Sequence, residues 1–130
     1  MRKLGSSFSV QMLERFPADV NVEEMTQEEF RTALRPLPRK NYMESSFHSV
    51  VGHEGTATAL TKLLGFDVHC NRESITLDGR EPYYFAQPTG KRITYGEEID
   101  FPELRFFKAT VRYQPKPKVT GWAESNNWEE

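Results

Sequence analysis

Leu104-Arg105-Phe106-Phe107-Lys108-Ala109-Thr110-Val111-Arg112-Tyr113 is the stretch on which the fold turns. From Phe107 it alternates strictly. Phe107, Ala109, Val111 and Tyr113 fall on one side, and Lys108, Thr110 and Arg112 on the other. That is the two-residue period of a sheet strand with one face on a core. Upstream, residues 83–87 (YYFAQ) read as a strand, residues 88–92 (PTGKR) as a loop, and Tyr95-Gly96-Glu97-Glu98-Ile99-Asp100 as a turn of helix. Residues 68–77 (VHCNRESITL) read as a further strand, closed by the turn signal Asp78-Gly79.

The first half supplies the helices. Residues 3–13 (KLGSSFSVQML) and 18–22 (ADVNV) read as strands. Thr26 with Glu29 has capping-box spacing, each side chain able to satisfy a backbone N–H that a helix start leaves bare. Phe30, Ala33 and Leu34 then form a short apolar stripe that Pro36 ends. Residues 36–46 carry two prolines and no period, and read as a loop. A second helix is expected from His53 to Leu64, with Ala57, Leu60, Leu63 and Leu64 buried and Gly65 at the C′ position. Strands before and after the helices give an α+β single domain: a mixed central sheet of about five strands flanked by helices. The domain is expected over residues 1–113, with a Pro-, Lys- and Trp-containing tail over 114–130.

Composition narrows the function. The chain has 130 residues, enough to bury a core without crosslinks. A single cysteine, Cys70, excludes an internal disulfide and a Cys-rich zinc site. Seventeen Lys and Arg against 19 Asp and Glu leave a net charge of −2. This argues against a strong non-specific hold on duplex DNA and leaves room for a local basic pocket. No apolar run has the length of a membrane span or signal peptide, so a cytoplasmic protein is expected. His48, His53 and His69 lack a shared helical face and no acidic loop resembles a calcium site, so no metal and no cofactor are expected.

Three places can carry chemistry. His53, after the flexible Gly52, opens a helix whose free N–H groups attract anions, and an imidazole there can donate a proton. Arg72 and Arg92 offer planar forks that grip phosphate. Ser6, Ser7 and Ser9 present hydroxyls where the first strand ends. Each has an ordinary structural reading beside the functional one: His53 as a helix cap, the arginines as solvated surface, the serines as turn residues. Tyr83, Tyr84, Phe85, Phe106 and Phe107 read as core and sheet faces rather than base-stacking platforms, with Tyr84 and Tyr95 as the candidates to stack on an adenine.

SSFSVQMLERFP, VGHEGTATALTKLLG, NRESITL and the Arg92-Ile93 loop with Gly96, in that order, resemble the viral type III anti-CRISPR ring nuclease family over about residues 3–113. The resemblance implies a homodimer enclosing cyclic tetra-adenylate, the second messenger of type III CRISPR defence, in a cavity at the subunit interface. It implies metal-independent cleavage by attack of a ribose 2′-hydroxyl on the adjacent phosphodiester. His53 would be the general acid, Arg92 would stabilise the phosphate, and Arg72, Ser9, Ser6, Gly52 and Tyr95 would contact substrate. Two positions depart from the family pattern: Ser6 stands where Asn is common, and Tyr95 where an acidic residue is common. Those departures keep a second reading in play, a protein that sequesters a cyclic oligonucleotide without cutting it. The Trp-bearing tail suggests a third, a contact with a host protein.

Overall fold

The computed structural model describes residues 2–39, 42–44, 47–95 and 99–115. In chain order it forms β1 (Arg2–Gly5), a 3-10 turn (Val10–Met12), β2 (Ala18–Met25), α1 (Gln27–Leu34), β3 (Leu37–Arg39), β4 (Tyr42–Glu44), β5 (Phe47–Ser49), α2 (Glu54–Leu64), β6 (Tyr83–Tyr95) and β7 (Ile99–Tyr113). Five strands make one sheet in the order β2-β7-β6-β1-β5. β1 runs parallel to both β5 and β6, while β7 is antiparallel to β6 and β2. The fold is therefore the expected single α+β domain with a mixed five-stranded sheet.

The alternation that opened the sequence reading organises both faces. Ala109 and Val111 are buried with Tyr83, Phe85, Val50 and Leu77, and Phe107 and Tyr113 pack against them. On the other side, Leu104 and Phe106 meet Leu4, Tyr84 and Ala86 beneath the helices. α1 contributes Phe30 and Leu34, and α2 contributes Ala57, Ala59, Leu60 and Leu64. Both helices thus cover one face. The opposite face is covered by irregular chain that brings in Phe8, Met12, Leu13 and Ile75.

The helix ends follow from their sequences. Thr26 Oγ1 accepts the Glu29 N–H at 3.1 Å, and Glu29 Oε1 accepts the Thr26 N–H at 2.9 Å, completing the expected box. Gly65 closes α2 with φ +83°, a left-handed conformation that suits glycine.

Several expectations are corrected. The first strand stops at Gly5 instead of running to Leu13. Ser9 Oγ accepts the Gln11 N–H at 3.2 Å and caps the 3-10 turn, offering the backbone a local alternative to a ladder. Residues 36–46 are not simply a loop, because β3 and β4 pair there in antiparallel register. β5 follows them, its three residues too few to show a period. Residues 68–77 form no strand. They make only isolated bridges, Cys70 to Val51 and Leu77 to Leu13, and their polar side chains bond the backbone of the Ser49–Gly52 segment instead.

Residues 88–92 lie within β6, where the register with β7 shifts between Pro88 and Arg92. Proline has no N–H for the ladder, so the pairing is interrupted there and resumes beyond it. Of the expected helical turn at 95–100, Tyr95, Ile99 and Asp100 are strand, and 96–98 lie outside the described residues. The tail is described only to residue 115, with the Gln114 N–H still donated to Pro17 O at 3.2 Å. No helix among the described residues is long and apolar enough to cross a membrane.

Candidate active site

The exit of β1, the start of α2 and the irregular stretch of β6 meet at one place. Between them lies an open cleft of about 670 Å³ lined by Ser6, His53, Thr56, Pro88, Arg92 and Pro102, among others. Residues from four separate stretches of sequence, an imidazole, a guanidinium and a hydroxyl among them, therefore face one space.

His53 is the N-cap residue of α2. Its backbone is extended (φ −126°, ψ 120°), and its carbonyl accepts the first helical bond, from the Ala57 N–H at 3.0 Å. Its side chain makes no capping bond. A Cβ added at Gly55 would stand 3.4 Å from His53 Cε1 and 3.5 Å from Nδ1, so the ring lies across the first turn. The N–H groups of that turn have no intrahelical acceptor and give the cleft a positive end. Thr56, 2% exposed, lines the same wall.

Arg92 reaches the cleft because of the register shift. Pro88 is opposite Leu104 and Arg92 is opposite Pro102, so β6 spends more residues than β7 over the interval. Irregularities of this kind re-aim a side chain at a sheet edge or site. Arg92 is exposed.

Ser6 is set by its neighbours. Tyr83 Oη donates to the Ser7 carbonyl at 2.6 Å, pinning the chain where it leaves β1. The tyrosine is 1% exposed, and burial pushes its hydroxyl pKa up, so it remains a donor throughout the working pH range. The phenol passes over Gly5 so closely that a Cβ there would lie 1.9 Å from Oη.

The remaining sequence candidates are not among the residues lining this cleft. Ser9 spends its hydroxyl on the 3-10 turn. Arg72 and Gly52 bond each other: Nε and Nη2 donate to the Gly52 carbonyl at 3.3 and 3.2 Å. Tyr95 pairs through its backbone with Ile99, and its side chain lies outside the described residues. Sequence reading expected Tyr83 in the core, where it lies, while Tyr84, a stacking candidate, is buried beneath the helices. It gave no separate role to Gly5, Thr56 or Pro102. Only Thr56 had a local signal, its place in the first turn after His53.

A second cleft of about 690 Å³ runs along α2 toward residues 65–70. Its Thr61 hydroxyl is committed to Val68, accepting the N–H at 2.9 Å and donating to the carbonyl at 3.3 Å. It lacks the imidazole–guanidinium combination of the first cleft. Among the described residues, no three His, Cys, Asp or Glu side chains cluster as metal ligands.

A sequence model of the STIV B116-like family matches residues 4–105. No curated protein matches the sequence. Among solved structures, the fold is similar to B116 of Sulfolobus turreted icosahedral virus, with a TM-score of 0.61 at 15% identity. The match covers 84% of this chain and 97% of that one. Residues 4–105 contain both helices, β6 and every residue that lines the cleft, from Ser6 to Pro102.

Proposed function

This chain belongs to the STIV B116-like family, and on that premise we propose that it is a metal-independent ring nuclease that opens cyclic tetra-adenylate and so acts as an anti-CRISPR. The observation that carries the reading is the convergence of His53, Arg92 and Ser6 on one cleft at the N-terminus of α2. Cleavage of a ribonucleotide ring needs little more. The nucleophile, a ribose 2′-hydroxyl, is already beside the phosphorus it attacks. The protein must align the two, place positive charge on the phosphoryl oxygens and give a proton to the departing oxygen.

The 2′-oxygen forms a bond to phosphorus and its proton passes to solvent. The bond from phosphorus to the 5′-oxygen breaks, and His53 protonates that oxygen. The products are a 2′,3′-cyclic phosphate and a 5′-hydroxyl. Arg92 and the free N–H groups of the first turn face the phosphoryl oxygens, and Ser6 adds a hydroxyl donor. A ring of four identical nucleotides has two-fold symmetry, which suits a homodimer presenting two such clefts to one ligand.

The test is incubation of the purified protein with cyclic tetra-adenylate, with and without EDTA, followed by chromatography. Linear adenylates in equal amount in both samples are expected. An intact ring recovered in complex with the protein would replace the enzyme with a sequestering protein, and a ring that neither binds nor opens would end both readings. Arg92→Ala is expected to weaken binding and slow cleavage together, since its charge acts on the phosphate before and during the reaction. Loss of one charge-assisted contact corresponds to about 1.5–3 kcal/mol, or roughly 10- to 150-fold in kcat/KM.

A further inference from the structure

We propose that Asn71 and Glu73 are positioning residues, and that the strap from 70 to 73 clasps the Ser49–Gly52 segment and so fixes the direction in which His53 enters the cleft. This rests on the reading of His53 as general acid. The strap is a polar stretch with no regular structure, yet its bonds fall one after another on the chain leading to His53. The Asn71 N–H donates to Val51 O at 2.7 Å, and Asn71 Nδ2 donates to Ser49 O at 2.8 Å. Arg72 adds its two bonds to Gly52 O, the carbonyl immediately before His53. Ser49 Oγ donates back to His69 O at 2.6 Å.

Glu73 completes the clasp. Its Oε1 accepts from Asn71 Nδ2 and meets His48 Nε2 on β5, both at 3.0 Å. These two bonds hold the carboxyl below the usual carboxylate range, the Asn71 bond being the larger cause. The bond to Asn71 also sets which end of that amide faces Ser49, because only the NH₂ end can serve both acceptors. His53 draws no such restraint from its own helix, since its side chain makes no capping bond. The imidazole's position is thus inherited from the backbone before it, and that backbone is held by the strap.

Glu73→Ala and Asn71→Ala loosen the clasp at sites outside the cleft by taking out its Glu73 and Asn71 side-chain bonds, and Glu73→Gln keeps the side-chain oxygen that Asn71 and His48 need. Thermal unfolding of each variant is measured first, and below its midpoint two readings are taken: kcat and KM on cyclic tetra-adenylate, and the His53 ring resonances of ligand-free labelled protein. For both alanine variants, kcat is expected to fall about tenfold with KM changed less than about twofold, as for a reacting group slightly displaced. The His53 resonances are expected to move, and Glu73→Gln to restore both. His53 resonances and kcat unchanged while stability falls would overturn the proposal, leaving the strap a structural feature. A rise in KM at constant kcat would overturn it too, making the strap part of the substrate grip. If wild-type protein leaves the ring uncut, the general-acid reading falls alone, and the resonances still decide whether the strap orients His53.

Discussion

His53→Ala is expected to lower the single-turnover rate of ring opening by about 10²–10⁴-fold while leaving ligand affinity within a few-fold of wild type. The asymmetry follows from when the imidazole acts. In the proposed mechanism its proton is needed as the 5′-oxygen departs, so its loss would be felt in the transition state far more than in the bound ground state. Arg92 and the first-turn N–H groups remain to hold the phosphate. The substitution should spare the fold, because His53 is exposed and its side chain makes no capping bond. His53→Asn sharpens the test. Asparagine is a good N-cap and alanine a poor one, so the asparagine variant should be about 0.5–1 kcal/mol more stable than the alanine variant. Both should be equally inactive. Single-turnover cleavage, calorimetric binding and thermal unfolding of the three proteins separate the roles. Cleavage by His53→Ala at the wild-type rate would remove His53 from the chemistry, whatever the assay says of the ring.

What the sequence made legible were the features written in local contrast. β7 announces itself by strict alternation, α1 by Thr26 and Glu29, α2 by its apolar face and by Gly65. What it hid depends on partners far along the chain. β5 has three residues and exists because β1 pairs with it, and β3 and β4 exist through each other. Residues 68–77 have strand composition, but Asn71 and Glu73 bond backbone and side chains across 22 to 25 residues of sequence, and the stretch becomes a strap. The same division holds at the cleft. His53 could be placed at a helix start by reading along the chain, but its meeting with Arg92 is set by a register shift that no local pattern encodes. Arg72 reads along the chain as a solvated or phosphate-gripping arginine, and its bonds to the Gly52 carbonyl depend on a partner 20 residues away.

Gly5→Ala is expected to destabilise the protein by about 3 kcal/mol, a drop in unfolding midpoint of roughly 10 °C for a domain of this size. The added Cβ would lie 1.9 Å from Tyr83 Oη, 2.9 Å from Cζ and 3.2 Å from Cε1. None of these atoms can yield cheaply. Tyr83 is 1% exposed, and its ring stacks on Phe85 with centroids 5.5 Å apart. Gly5 is itself held in β1, paired with Phe85 of β6. If the phenol moves, the Ser7 carbonyl loses the hydroxyl that satisfies it; if β1 moves, its ladder with β6 is strained. The double variant Gly5→Ala/Tyr83→Phe separates these terms. Without the hydroxyl the closest clash disappears, although Cζ stays tight. Tyr83→Phe alone leaves the Ser7 carbonyl without its donor, at a cost of about 1–3 kcal/mol. The two substitutions share one contact, so the double variant should be less destabilised than their sum. Strict additivity, or a Gly5→Ala protein that unfolds at the wild-type midpoint, would mean the phenol does not set this position. Below its midpoint, Gly5→Ala should also weaken ring binding. Ser6 follows Gly5 directly, and the bond between Tyr83 and Ser7 that fixes the chain there is the one the new methyl group displaces.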